Sequence, residues 1–208
     1  MSSLFRHDSP LYRLLMRLTD LMILNGCFIV GSLGIITLGA SISALYSVTL
    51  QWAKQKEVDV IKDFFKSYRS NFKQATLITL ILLFFGSMML FNIFLFGKSG
   101  QRFFDIYQWI NVILLLLLML IFLFIYPMIA QFENTISNYF KNSILMIISN
   151  PSKTLLIILA IISILFVSLY NQTSFAISLG FFIIIGFATV ARWLSIYFSL
   201  IFKQYIKE

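Results

Sequence analysis

The stretch IYQWINVILLLLLMLIFLFIYPMIA, residues 106–130, carries no charged side chain from one end to the other. About 20 apolar residues in a helix cross the ~30 Å of bilayer hydrocarbon, so this run alone is long enough to span. Residues 75–97, 154–170 and 175–191 repeat the pattern, with charge only beyond their edges. Barrel strands are segments of about 10 residues that alternate in polarity, whereas these runs are longer and apolar on every face. The fold class is therefore all-α: a polytopic membrane helix bundle in a single domain, residues 1–208.

Composition agrees. The chain is 60% hydrophobic and only 12% charged, with a mean hydropathy of +0.91. Soluble proteins average about 45–50% apolar and about 25% charged residues. The net charge of +8 sits at the ends of the spans, which reads as membrane topology and lipid contact rather than nucleic-acid binding. Cys27 is the only cysteine, so no intramolecular disulfide or thiolate cluster can form.

Upstream of the long runs, PLYRLLMRLTDLMIL (residues 10–24) is amphipathic. Leu11, Leu14, Leu15, Leu18 and Met22 recur at helical spacing opposite Arg13 and Arg17. With Pro10 in the first turn and Ser9 as cap, the segment reads as an interfacial helix leading into the membrane. Residues 21–50 follow, too long for one short span and too short for two. Either one span continues beyond the bilayer, or the chain is broken near Thr37 to Ser41. The marks of such a break are Asn25, Gly34, Thr37, Gly39 and Ser41, and Gly31, Gly34, Ser41 and Ala44 offer small surfaces for close helix contact.

Residues 57–73 form a second amphipathic segment. Val58, Ile61, Phe65, Tyr68 and Phe72 make an apolar stripe; Lys62, Lys66, Arg69 and Lys73 make a basic one about 100° away, suited to lipid headgroups. The alternative is a helix packed against its neighbours. Spans are expected at about 75–97, 106–130, 153–170 and 174–193. An echo between FFKSYRSNFKQATLITLILL and YFKNSILMIISNPSKTLLIIL hints at an internal repeat of the kind transporters use.

Orientation follows from Lys and Arg. Five crossings place eleven of these residues on the carboxyl-terminal side against five opposite; a re-entrant 21–50 segment raises the bias to fourteen against two. Both readings put the carboxyl terminus in the cytoplasm. Length favours five crossings, and charge favours the re-entrant form.

Several stretches together resemble the YesL-like family of bacterial membrane proteins. They are LFRHDSPLYRLLMRLTDLMILN, LGIITLGASISALY, FFKSYRSNFKQA and YPMIAQFENTISNYFKNSILMIISNPSKTLL. Asn25, Thr37, Gly39, Ala44, Leu45 and Tyr46 fit the family's pattern, while Gly34 and Ser41 stand at or near its usual prolines. The resemblance implies no catalytic residue. It implies a bacterial plasma-membrane protein associated with carbohydrate uptake.

No residue set for chemistry is apparent. His7 is the single histidine, and Asp8, Asp20 and Glu133 are scattered. No phosphate-binding loop or nucleophile elbow is present, so neither an enzyme nor a cofactor is expected. Asn25, Asn92, Gln108 and Asn111 are the best polar groups near or within the membrane, with interhelical hydrogen bonding as their expected role. Glu133 and Arg192 are candidates for a cytoplasmic-side ion pair, with ordinary interfacial solvation as the favoured reading. The expected partners are the bilayer and other membrane proteins, among them carbohydrate transporter subunits or a second copy of the chain. The leading expectation is an accessory or assembly protein; a transporter or channel for a neutral solute and a membrane-surface sensor are the alternatives.

Overall fold

Because lipid offers backbone groups no hydrogen bonds, every spanning segment must satisfy its own. The computed structural model describes residues 10–96 and 102–205, and among these it is helical with no strand. In chain order the helices are α1 (Pro10–Gly31), α2 (Leu38–Ala53), α3 (Val60–Phe96), α4 (Arg102–Gln131), α5 (Ile136–Ser149), α6 (Pro151–Leu169), α7 (Gln172–Phe181) and α8 (Phe187–Phe202). A π-helical segment, Phe182–Gly186, joins α7 to α8 without a break. Six helical stretches among the described residues are long and apolar enough to cross a membrane. The helix-bundle class read from the sequence holds.

The long first segment is two helices rather than one. α1 runs unbroken from the amphipathic segment to Gly31, a short 3-10 turn covers Ile35–Thr37, and α2 starts at Leu38. The break thus lies at residues 32–37, earlier than Thr37 to Ser41. Glycine at 34 and the Thr37 hydroxyl, which donates to the Gly34 carbonyl at 2.8 Å, build it in place of proline. Gly39 and Ser41 belong to α2 and are buried. The expected Ser9 cap lies outside the described residues.

Two helices of crossing length in place of one span are consistent with the arrangement whose charge tally is fourteen against two. Single cysteines at Ser2 and Ser99, in a Cys27→Ser background, are expected to react with an impermeant thiol reagent from opposite sides of the membrane. Labelling from one side would restore the single-span topology.

α2 is the central helix. Ten of its sixteen residues are buried, and α1, α3, α4 and α8 pack around it. Against α8 it runs antiparallel, as three successive contacts show. Tyr46 meets Phe198 edge-on with ring centroids 5.7 Å apart; Thr49 Oγ1 and Ser195 Oγ share a hydrogen bond of 2.7 Å; the Arg192 guanidinium lies 5.4 Å from the Trp52 ring centroid. Phe198 continues onto Phe124 of α4 at 5.2 Å, and Phe132 onto Phe202 at 5.2 Å. Lipid tails are as apolar as these rings, so shape fit and such specific contacts hold the bundle.

The amphipathic segment at 57–73 is not a separate interfacial helix. With no proline or glycine between residues 60 and 85, nothing ends it before the membrane, and α3 continues for 37 residues. At 1.5 Å per residue it is about 55 Å long, so its amino-terminal half overhangs a ~30 Å hydrocarbon layer. Its inward face is Val60, Phe64, Ser67, Ala75, Ile78 and Leu82. This stripe is offset from the one read in the sequence: Tyr68 and Phe72 flank the core, while Ile61 and Phe65 are exposed. The register is fixed by continuity with the span, a long-range constraint that a local window does not contain. Lys62, Lys66, Arg69 and Lys73 are exposed, as the basic stripe requires.

In contrast, Pro151 ends α5 and starts α6, with Asn150 between them. The second half of the sequence echo therefore bends where the first runs straight. α6 and α7 pair as a short-linked hairpin, with Asn171 capping α7 by accepting from the Ser174 N–H at 2.7 Å.

Candidate functional site: polar joints and an interfacial cleft

Small residues allow helix backbones to approach, and polar side chains can then bond across them. At Gly39 this approach is extreme. A Cβ there would collide with the Thr79 hydroxyl and would stand 2.7 Å from the Tyr126 ring and 2.9 Å from the Ala75 carbonyl. The missing side chain leaves room for the buried hydrogen bond between Thr79 Oγ1 and Tyr126 Oη, 2.8 Å long. Gly39 thus seats α2 on the α3–α4 pair. Gly31 acts similarly at the end of α1, where a Cβ would come within 2.8 Å of Ser41 Oγ.

Asn25 forms the second joint. A π-helical turn widens the backbone ring and leaves polar groups at its margins unpaired. The Asn25 amide is fully buried. Its Nδ2 donates to the Phe182 and Ile183 carbonyls at 3.0 and 2.9 Å, while its Oδ1 accepts from the Ala188 N–H at 3.1 Å. One side chain therefore serves three backbone groups around the π segment. Phe28, one turn later on α1, covers Phe187 at 5.0 Å.

The remaining polar residues singled out in the sequence are dispersed. Asn111 is buried and donates to the Tyr107 carbonyl one turn back at 2.9 Å, a bond within its own helix rather than between helices. Asn92 is half-buried on α3, apart from the others. Arg192 is half-buried over Trp52 and within electrostatic reach of Asp20; it does not meet Glu133. Of the buried side-chain polar atoms described, Thr76 Oγ1 alone lacks a hydrogen-bond partner.

Two concave regions stand out. The larger, about 550 Å³, is an apolar crevice between α6 and α7–α8, bounded by Ala160, Ile164, Val167, Phe181, Val190 and Trp193. It offers no charged group. The other, about 320 Å³, is polar and lies between α2, the overhanging half of α3 and the α4–α5 link. Ser47 and Gln51 line it from α2; Asp63, Lys66, Ser67, Ser70 and Asn71 from α3; Gln131 from the end of α4 and Glu133 from the link. Ligand sites begin at about 300 Å³, so the cleft suits a small polar group, and its lining, unlike that of the crevice, carries charge to recognise one.

Cross-links hold its walls. Lys54 Nζ donates to Gln131 Oε1 at 2.6 Å, tying the end of α2 to the end of α4. Burial and the nearby Lys56 charge push the Lys54 ammonium below its ordinary pKa. Gln74 Nε2 donates to the Asn134 carbonyl, and Tyr139 Oη donates to the Phe132 carbonyl at 2.6 Å while accepting from the Asn134 N–H at 3.1 Å. Burial raises the Tyr139 hydroxyl pKa. Of the cleft residues, the sequence had marked Lys66 and Glu133 separately. Ser47, Gln51 and Asn71 were missed, since single polar residues on three elements carry no local pattern.

Among the described residues no group of three or more His, Cys, Asp or Glu side chains could hold a metal ion. Residues 21–93 match a family described as "Protein of unknown function, DUF624", the family that includes the YesL-like proteins. The match covers α1 from its midpoint, the break, α2 and most of α3, the part of the chain that holds both glycine contacts and Asn25. No curated protein and no solved structure matches the chain.

Proposed function

We propose that this chain is a non-enzymatic multi-pass protein of the bacterial plasma membrane, with both termini cytoplasmic, that serves as an accessory or assembly partner of a carbohydrate uptake system. The supporting observation is how the family-matching segment uses its polar and small residues. Asn25 is consumed by the π segment, Thr79 by Tyr126, and Gly39 by close packing. These are joints that set the shape of the bundle, and shape is what an assembly partner presents. The link to carbohydrate uptake comes from the resemblance to YesL-like proteins. Mild crosslinking in cells followed by purification is expected to recover subunits of a carbohydrate transporter. Recovery of other membrane proteins without them would sink this reading.

The polar cleft favours a second reading, a transporter for a neutral solute. Its hydroxyl and amide lining lies at one end of the bundle, where a solute would enter. Flux in reconstituted vesicles tests it: solute uptake lost in Gln51→Ala would support transport, and vesicles no leakier than protein-free controls would dismiss it.

A further inference from the structure

We propose that the polar cleft is a binding site for an ammonium–phosphate zwitterion, the chemistry of a phosphoethanolamine headgroup. The cleft lies near the ends of two apolar stretches, where a spanning bundle meets the headgroup layer. Gln131 ends the apolar stretch of α4, and Gln51 lies two residues before the end of that of α2. Charges of both signs line it: Lys66 on α3, Asp63 one turn earlier, and Glu133 on the link opposite.

These charges do not satisfy one another. Among the described residues, Lys66 and Glu133 make neither a hydrogen bond nor an ion pair, and Asp63 is engaged only by the Asp59 N–H at 3.2 Å. Ser47 and Gln51 likewise have no side-chain partner there. Lysine supplies only donors and an ionised carboxylate only acceptors. A ligand that satisfies both therefore needs acceptor oxygens next to N–H donors.

A phosphate facing Lys66 and a primary ammonium facing Glu133 meet that requirement with charge-assisted hydrogen bonds. A choline headgroup has the same charges but no N–H to donate. A glycerol headgroup has the phosphate without the cation and sets its charge against two carboxylates. Lys62, Arg69 and Lys73, exposed like Lys66 but outside the cleft, add general attraction to phosphate surfaces, but cannot distinguish these headgroups.

The test uses the full-length protein in mild detergent, challenged separately with short-chain phosphatidylethanolamine, phosphatidylcholine and phosphatidylglycerol and with soluble glycerophosphoethanolamine, and read by native mass spectrometry. Phosphatidylethanolamine is expected to be retained about tenfold better than either other lipid, the scale of one charge-assisted hydrogen bond. Lys66→Gln and Glu133→Gln should each remove most of that preference, Glu133→Asp should keep part of it, and Lys62→Gln should leave it intact. Glycerophosphoethanolamine binding as tightly as the lipid would support the same chemistry with a free solute as its source; much weaker binding would identify the bilayer lipid. Equal retention of phosphatidylcholine, preference for phosphatidylglycerol, or a preference unchanged by Lys66→Gln and Glu133→Gln would overturn the assignment.

Discussion

Gly39→Ala is expected to destabilise the protein more than any other single methyl addition among the described glycines. The new Cβ would collide with Thr79 Oγ1 and press on the Tyr126 ring and the Ala75 carbonyl at 2.7 and 2.9 Å. The two side chains are tied to each other by a buried hydrogen bond, so moving either breaks it, and the carbonyl is backbone. Overpacking of this kind costs about 1–3 kcal/mol. At this chain length that lowers a thermal midpoint by roughly 2–4 °C per kcal/mol. Gly26→Ala is the control, because nothing lies within 4 Å of its added carbon. Thr79→Ala in the Gly39→Ala background should return part of the loss by removing one of the obstructing atoms, a non-additivity expected of touching residues. Equal midpoints for Gly39→Ala and Gly26→Ala would show that α2 does not sit against α3 and α4 in this way.

The contrast between these glycines marks what a sequence can disclose. Apolar runs over 75–97 and 106–130 announce membrane helices, because length and composition are local properties. The glycine-containing stretch from 31 to 44 announces close packing. It does not say which glycine touches what: Gly34 meets only its own Thr37, whereas Gly31 meets α2 and α3 and Gly39 meets α3 and α4. The split of residues 21–50 is one of two readings that length alone leaves open, and the break lies at residues 32–37, ahead of Thr37 to Ser41. The inward face of α3 was misplaced for the same reason, since Phe64 is chosen by the register of Ile78 and Leu82 farther along one continuous helix. The cleft was the least legible feature. Its polar groups come from residues 47 to 133 on three elements, and only the fold brings them together.

Asn25 provides the other large effect, and its variants separate two ideas of what the π segment is. Asn25→Ala leaves the Phe182 and Ile183 carbonyls and the Ala188 N–H without the partner they now have. Interhelical bonds within membranes average about 0.6 kcal/mol each, about 2 kcal/mol for three; full desolvation of an unpaired buried group costs about 1–3 kcal/mol. Asn25→Asp should be worse, since it replaces an N–H donor by an acceptor facing two carbonyls. If Asn25 holds the π segment open, its loss lets residues 182–186 relax toward an α-helix, and the one-residue change in register turns everything after Gly186 by about 100°. Ser195 would then leave Thr49, and Arg192 would leave Trp52. A Thr49→Cys, Ser195→Cys pair in a Cys27→Ser background reads that register directly, because the two hydroxyl oxygens are now 2.7 Å apart and disulfide geometry tolerates little displacement. The pair should close readily with Asn25 present and poorly with Asn25→Ala. Closure at the same rate in both, together with a lowered thermal midpoint, would mean that the π turn is set by packing around Phe28 and Phe187 and that Asn25 only satisfies it.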